Sequence, residues 1–228
     1  MKPARGREPV ITIDGPAGAG KSTVARELAR RLGLRLVSTG ALYRALAWAV
    51  SQTGVSVDDE RALAAVLDRT VVELAGDRVT VGGRDVTDLI RTPEISELTS
   101  LLTKLRLVRD KMTPLQRALA APGGVVLEGR DTGSVVWPQA EVKFYLEAGL
   151  DARARRRQAD LRAQGVVMEL EAVKRDLAAR DEQDMRRPLA PLVKPAGAVV
   201  VDSTALAPDE VVEVMRKAVE EVWCCTRR

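Results

Sequence analysis

Histidine is absent from the 228-residue sequence, and cysteine occurs only twice, as the adjacent pair Cys224 and Cys225. Without imidazole, no histidine can activate a nucleophile, shuttle a proton or ligate a metal, so proton transfer falls to carboxylates or water. Two neighbouring cysteines cannot build a disulfide framework, and they have no metal-ligand companions. Aromatic residues are scarce, at 3% with a single Phe, and nothing spaces Trp48, Trp137 and Trp223 as a base-stacking platform; they read as core or hinge packing. No apolar run approaches the length of a membrane span. Residues 1–9 read as a disordered tail, too short and polar for a signal peptide, so a cytoplasmic protein is expected.

What is present is ordinary for a soluble globule: 46% hydrophobic residues, 30% charged, and a net charge of +4. The length suits one α/β domain with an inserted lobe, or two small domains. The basic excess has two readings, nucleic-acid binding or a cluster of cations at a phosphate-handling site, and the positions of the arginines favour the second.

The stretch 10–23 organises the chain. Residues 10–13, Val-Ile-Thr-Ile, read as a short buried strand, and residues 23–32 are helix-prone. Between them, residues 15–22 fit G-x-x-x-x-G-K-[ST] at every fixed position. Strand, glycine-rich loop and helix in that order are the context of a P-loop, against the alternative of a chance match in a glycine-containing turn. Gly15, Pro16, Ala17, Gly18, Ala19, Gly20, Lys21, Ser22 and Thr23 are therefore expected to bind ATP, with backbone N–H groups turned to phosphate oxygens at the positive end of a helix. Lys21 would reach the β- and γ-phosphates, and Ser22 would ligate Mg²⁺.

Further along, residues 34–37 read as a strand, 41–51 as a helix, and a third helix begins at Asp58. Residues 71–74 and 78–81 flank Ala75-Gly76-Asp77 as a hairpin, antiparallel material that marks an insertion at 53–92. Residues 93–120 read as one long helix interrupted at Pro114. The runs 125–127, 142–146 and 198–201 are continuous in apolar residues, as central strands of a parallel sheet should be. Charged helices at 151–164 and 169–181 surround Gly165, and 208–223 is an amphipathic terminal helix. Strands alternating with helices predict a doubly wound α/β fold.

Several arginines follow predicted strand ends, where open α/β sheets bind ligands: Arg44, then Arg130 after the strand 125–127. Arg153, Arg156 and Arg157 share one helix, and Arg180, Arg186 and Arg187 surround Asp181 and Asp184. Guanidinium groups suit the charge spread over a transferring phosphoryl group. For Arg153 to Arg157 a solvated helix face reads equally well. Glu128 ends a buried strand, either near Mg²⁺ through water or in a cap or salt bridge. Asp14 is divided between a metal-water contact and a structural role.

These residues together carry a resemblance. Ser38-Thr39-Gly40-Ala41-Leu42-Tyr43-Arg44, Ile90-Arg91-Thr92 with Ser100 and Arg109, Glu128-Gly129-Arg130-Asp131-Thr132-Gly133-Ser134-Val135-Val136-Trp137-Pro138, and Arg180-Asp181 through Asp184 to Arg187 with Pro191-Leu192 are similar to segments of the bacterial cytidylate kinases, within the nucleoside monophosphate kinases. The resemblance implies an α/β P-loop kinase fold: a five-stranded parallel sheet flanked by helices, an inserted monophosphate-binding lobe with a small antiparallel hairpin, and a short helical lid. It places one kinase domain at 10–228, with core 10–38, 121–150 and 182–228, insert 39–120 and lid 151–181. It implies ATP-dependent phosphorylation of CMP, and of dCMP, with Mg²⁺. CMP would be bound by Thr39, Tyr43, Arg44, Ser100, Arg109, Arg130, Asp131, Arg180, Asp184 and Arg187. Within that set, Arg44 and Arg130 would hold the acceptor phosphate, Ser100, Arg109 and Asp131 would read cytosine, and Arg180 and Asp184 would contact the pentose. Lys21, Arg130, Arg153, Arg157 and Arg187 would be catalytic, with Arg153 and Arg157 in the lid. Thr39 stands where Ser is frequent and keeps the hydroxyl; Ser38 stands where Asp is common; Met185 stands where a charged residue is frequent. A monomer without nucleic-acid or membrane partners is expected. The rivals are another small-molecule P-loop kinase and a nucleotide-dependent switch or nucleic-acid-binding ATPase.

Overall fold

Strand β1 (Val10–Asp14) is buried at every position, and the rest of the first of two compact units is built outward from it. A computed structural model describes residues 8–163 and 165–226. Of the expected tail at 1–9, residues 1–7 lie outside the described residues, as do the side chains of Cys224 and Cys225. Glu8 and Pro9 do not belong to a loose tail: their carbonyls accept from the amides of Gly124 and Val125 at 3.2 Å each, which extends the pairing of the adjacent strand.

The first unit comprises the chain up to Leu36 and again from Pro122. Its sheet has five strands in the order β2 (Arg35–Ser38), β6 (Val125–Glu128), β1, β7 (Val142–Glu147), β8 (Val199–Asp202). The pairings of β1 with β6 and β7, and of β7 with β8, are parallel. Helices α1 (Lys21–Leu32) and α8 (Pro208–Thr226) pack Val24, Ala25, Leu28, Val212, Met215 and Val219 against Ile11, Ile13, Val126 and Phe144 of the sheet. Each of these buried side chains larger than alanine contributes roughly 1.5–3 kcal/mol from removing apolar area from water. The continuous apolar run at 198–201 is a correction: β8 is the edge strand, and Val199 and Val200 are exposed. A run of valines fits a strand at any place in a sheet, because β-branching favours the pleated backbone whichever face is covered. Helices α6 (Leu150–Ala163) and α7 (Leu170–Arg186) form a second, smaller core from Ala154, Leu161, Val173 and Leu177. The expected lid, 151–181, thus belongs to this unit, and α7 runs unbroken past residue 181.

The second unit spans Val37–Ala121 and carries helices α2 (Thr39–Ser51), α3 (Glu60–Arg69), α4 (Pro93–Leu102) and α5 (Arg106–Ala120). Ser38, Asp59 and Thr92 cap the first three by accepting from the amides of Ala41, Ala62 and Ile95. The hairpin of β3 (Val72–Ala75) and β4 (Arg78–Val81) pairs Ala75 with Arg78 around Gly76, whose φ of +62° suits a glycine turn. A third strand, β5 (Arg84–Asp85), extends it, which sequence reading missed because two residues carry no periodicity.

The single helix expected at 93–120 is two helices, and the break lies at residues 103–105 instead of Pro114. Thr103 Oγ1 donates to the Ser100 carbonyl at 3.2 Å, and such side-chain bonds compete with helix continuation. Pro114 sits on the exposed face of α5, as does Asp110, the residue whose carbonyl loses its amide partner. Water can satisfy that carbonyl, so the proline is tolerated.

Candidate active site

The glycine-rich loop begins where β1 ends. Gly15 has φ +149°, and a Cβ there would lie 2.0 Å from the carbonyl oxygen of Leu146, so only glycine fits. Gly20, in the left-handed region, is the N-cap of α1; no side chain caps that helix and no acidic residue occupies its first turn. The N-terminal amides and the helix dipole therefore present an anion site. Lys21 is buried, and its Nζ donates to the Pro16 carbonyl at 2.7 Å. Burial pushes the Lys21 ammonium well below the ordinary lysine range; Arg130 adds to the shift, while Glu128, Asp14 and Asp184 oppose it.

Ser22 Oγ donates to Glu128 Oε1 at 3.1 Å. A hydroxyl and a carboxylate side by side next to the phosphate loop are hard oxygen donors of the kind Mg²⁺ takes together with substrate phosphates. Among the described residues no group of three or more His, Cys, Asp or Glu forms a metal cage.

Asp14 has a structural task. Its Oδ1 accepts from the amide of Thr132 at 2.8 Å and from Thr132 Oγ1 at 2.7 Å, and its Oδ2 accepts from the amide of Gly133 at 2.7 Å. Burial raises its carboxyl to about 6, against those three bonds and with a small push from Asp131. Asp14 thereby fastens the π-helical turn Thr132–Val136 that follows β6. Arg130 and Asp131 lie between the end of β6 and that turn, at the carboxyl end of the strand. Arg130 Nε donates to Asp184 Oδ2 at 2.9 Å, and Arg187 Nη1 lies 3.6 Å from Asp184 Oδ1. The structure thus gathers Lys21, Ser22, Glu128, Arg130, Asp184 and Arg187 in the first unit. Arg180 and Arg157 are half-buried on α7 and α6.

Arg153 is buried and turned toward the loop. Its Nε donates to the Ala148 carbonyl at 2.9 Å, and its Nη1 donates to the Ala17 carbonyl at 2.8 Å and to Asp181 Oδ2. Asp181 Oδ1 accepts from the amide of Ala17 at 2.9 Å. Arg156 donates to Ser203 Oγ at 3.1 Å and to its carbonyl at 2.5 Å, and Ser203 Oγ lies 3.2 Å from the Ala19 carbonyl. Asp181, Arg156 and Ser203 had no assigned role from sequence. The only signal was the Arg-Asp pair at 180–181.

In the second unit, Thr39 opens α2, and the Arg109 guanidinium stands 5.9 Å from the centre of the Tyr43 ring. That is a cation–π distance, and it joins two expected binding residues. Arg44 and Ser100 are half-buried on α2 and α4. Gln116, one helical face on from Arg109, is fully buried, and neither of its amide atoms has a hydrogen-bond partner among the described residues. Trp48 carries Arg84 over its ring at 5.1 Å, so its expected packing role includes a cation.

A family profile described as Cytidylate kinase matches residues 11–221. The chain belongs to the cytidylate kinase family. It is 48% identical over 212 residues to the cytidylate kinase of Symbiobacterium thermophilum, covering 91% of this chain and 94% of that one. With the cytidylate kinase of Geobacter sulfurreducens it shares 46% identity over 225 residues, 97% of each chain. Among solved structures, a shikimate kinase from Acinetobacter baumannii in complex with shikimate matches with a TM-score of 0.50 at 16% identity, covering 94% of both chains; that likeness concerns the fold. Membership of the cytidylate kinase family makes this chain an enzyme of the nucleoside monophosphate kinase class, as its motifs implied. Among the described residues no helix is long and apolar enough to cross a membrane.

Proposed function

We propose that the protein transfers the γ-phosphoryl group of ATP to CMP, and to dCMP, acting as a monomer on soluble nucleotides, with neither nucleic acid nor membrane as partner. The observation that carries this is the convergence, in one unit, of an uncapped helix N-terminus and Lys21 with Arg130 and Arg187 on a shared Asp184. Cations around a phosphate loop are what phosphoryl transfer needs, since catalysis there is positioning and stabilisation of charge on three oxygens.

ATP lies along residues 15–23, its phosphates on the N-terminal amides of α1 and on Lys21. Ser22 would hold Mg²⁺ and Glu128 would reach it through water; the ion would neutralise charge on the β- and γ-oxygens. Arg44 and Arg130 take the acceptor phosphate, Arg180 and Asp184 the pentose, and Thr39 and Tyr43 support the nucleotide. A phosphate oxygen of CMP attacks γ-phosphorus in line while the β–γ bridging oxygen leaves on ADP. That nucleophile is already largely anionic near neutral pH, because a second phosphate pKa is about 6. No strong base is required, in keeping with the absence of histidine. Lys21, Arg130, Arg157 and Arg187 carry the charge in flight. Arg153, with Nε and Nη1 committed to Ala148, Ala17 and Asp181, is assigned no phosphate contact.

Cytosine offers an exocyclic amine donor and an N3 acceptor. Asp131 or Ser100 can accept from the amine, and Arg109 can only donate. A coupled assay with Mg-ATP across CMP, dCMP, UMP, AMP and GMP tests the reading. CMP and dCMP should be the preferred acceptors; preference for another acceptor, or nucleotide hydrolysis with no acceptor phosphorylated, overturns it.

A further inference from the structure

The peptide planes of the phosphate loop are set from outside by side chains of α6, α7 and the segment after β8. A trans peptide points its C=O and the following N–H in opposite directions. The Pro16 carbonyl faces Lys21 Nζ, and the Ala17 amide of the same plane accordingly faces away, to Asp181 Oδ1 at 2.9 Å. In the next plane the order is reversed. The Ala17 carbonyl is held outward by Arg153 Nη1 at 2.8 Å, which turns the Gly18 amide inward. The Ala19 carbonyl, 3.2 Å from Ser203 Oγ, does the same for the amide of Gly20.

The hold on Ala17 is made by buried groups. Arg153 and Asp181 are paired with each other as well as with Ala17, and Arg153 Nε is anchored on Ala148, just past β7. The methyl group of Ala17 packs with Ala154, Leu161, Val173 and Leu177 of the α6–α7 core. Gly18 lies so close that a Cβ would meet Arg153 Cβ at 3.2 Å. In such a dry setting a charge-assisted bond holds its geometry strongly.

We infer that Asp181 and Arg153 are positioning residues for ATP: together they fix the two peptide planes flanking Ala17, so that the loop meets the donor phosphates with its amides already aimed. Arg156 acts one step further back, by fixing Ser203 against Ala19. Arg153, expected from the resemblance to close over ATP, instead acts through the loop. This inference rests on the proposed ATP site and deepens it.

The test is calorimetric binding of Mg-ATP and of CMP to the full chain, with KM measured for each substrate. Asp181→Asn keeps an acceptor for the Ala17 amide but loses the charge that holds Arg153. Arg153→Lys keeps a charge for Asp181, but one ammonium cannot span the Ala17 and Ala148 carbonyls. Each variant should weaken ATP about tenfold or more in Kd and KM, leave CMP within about twofold, and lower kcat less than kcat/KM for ATP. Unchanged ATP affinity in either folded variant overturns the inference, and so does an equal loss for ATP and CMP, which marks a general packing defect. If Asp181→Asn does not fold, the same split is read on Arg153→Lys. Absence of ATP binding by the unsubstituted protein would instead overturn the proposed function, so the two failures are distinguishable.

Discussion

Two loops leave neighbouring parallel strands at the same end of the sheet and solve opposite problems. Strands β1 and β6 are in register from Val10 opposite Val125 to Ile13 opposite Glu128. The loop after β1 has its carbonyls taken by side chains: Pro16 by Lys21, Ala17 by Arg153, Ala19 by Ser203. Its recognition surface is therefore backbone N–H. In the loop after β6 six amides are spent within the protein. Gly129 donates to Ile13, Thr132 and Gly133 to Asp14, Val135 and Val136 to the carbonyl of Asp131, and Trp137 to that of Thr132. What distinguishes that loop is its side chains, Arg130 and Asp131 foremost. Backbone amides bind any phosphate in the right place and carry little chemical identity, whereas side chains can distinguish one acceptor from another. The first loop suits the donor common to kinases; the second suits the substrate that sets this family apart.

The largest effect should come from breaking the first loop's backbone. Gly15→Ala forces a methyl group to 2.0 Å from the Leu146 carbonyl oxygen, a backbone atom no rotamer change can move. The expected cost is about 4 kcal/mol or more, at the upper end for a single substitution. Urea unfolding checks it, and a midpoint like that of the unsubstituted protein would show that β7 yields there.

Lys21→Ala should separate chemistry from folding. Loss of one preorganised donor in a dry site is expected to lower kcat/KM about a hundredfold or more. Burial already disfavours the charged Lys21, so stability should stay level or rise. Near-normal turnover, or a sharply lowered melting temperature, would contradict this.

The second loop hangs on Asp14, and pH should reveal it. Burial raises this carboxyl from 3.8 to about 6. A raised folded pKa means that the folded chain holds more protons than the unfolded one between those values. Its stabilising contribution is full below pH 3.8 and is lost as pH rises through about 6. The difference amounts to about 3 kcal/mol at 1.36 kcal/mol per pKa unit. Asp14→Asn removes the titration, so the stability gap between the two proteins should change by about that much between pH 4 and pH 7, in favour of the unsubstituted protein at low pH. Parallel stability curves would place the acid titration elsewhere.

The smallest change is expected from Asp131→Asn. It should lower kcat/KM for CMP more than for UMP and narrow their ratio, because the amide can turn a donor toward the cytosine amine. Equal losses for both acceptors would make Asp131 a support for the turn.

The difference between the loops also explains what could be read from sequence. Gly15, Gly20 and Lys21 form a local motif legible from its spacing, although the carbonyl that makes Gly15 obligatory, that of Leu146, is distant in the chain. Arg130 was legible from its place after a strand end, but the role of Asp184 came from a resemblance, as their pairing spans 54 positions. The hold on Ala17 by Asp181 spans 164 positions, and that on Ala19 by Ser203 spans 184; no pattern in the chain announces contacts so distant. Likewise, valines at 199–201 announced a strand, but only the sheet order made it an edge. Thr103 ended a helix that Pro114 was expected to end, because exposure decides whether a proline's lost bond matters and exposure is a tertiary property.

The division of labour between the two loops is tested most directly by Arg130→Ala, with KM measured separately for ATP and CMP. Arg130 stands on the loop most of whose amides are bonded within the protein, at 2.9 Å from Asp184, and its loss should raise KM for CMP at least tenfold and lower kcat while KM for ATP stays within about twofold. A rise confined to ATP, or an intact kinetic profile in a protein that merely melts earlier, would contradict the assignment of donor to the first loop and acceptor to the second.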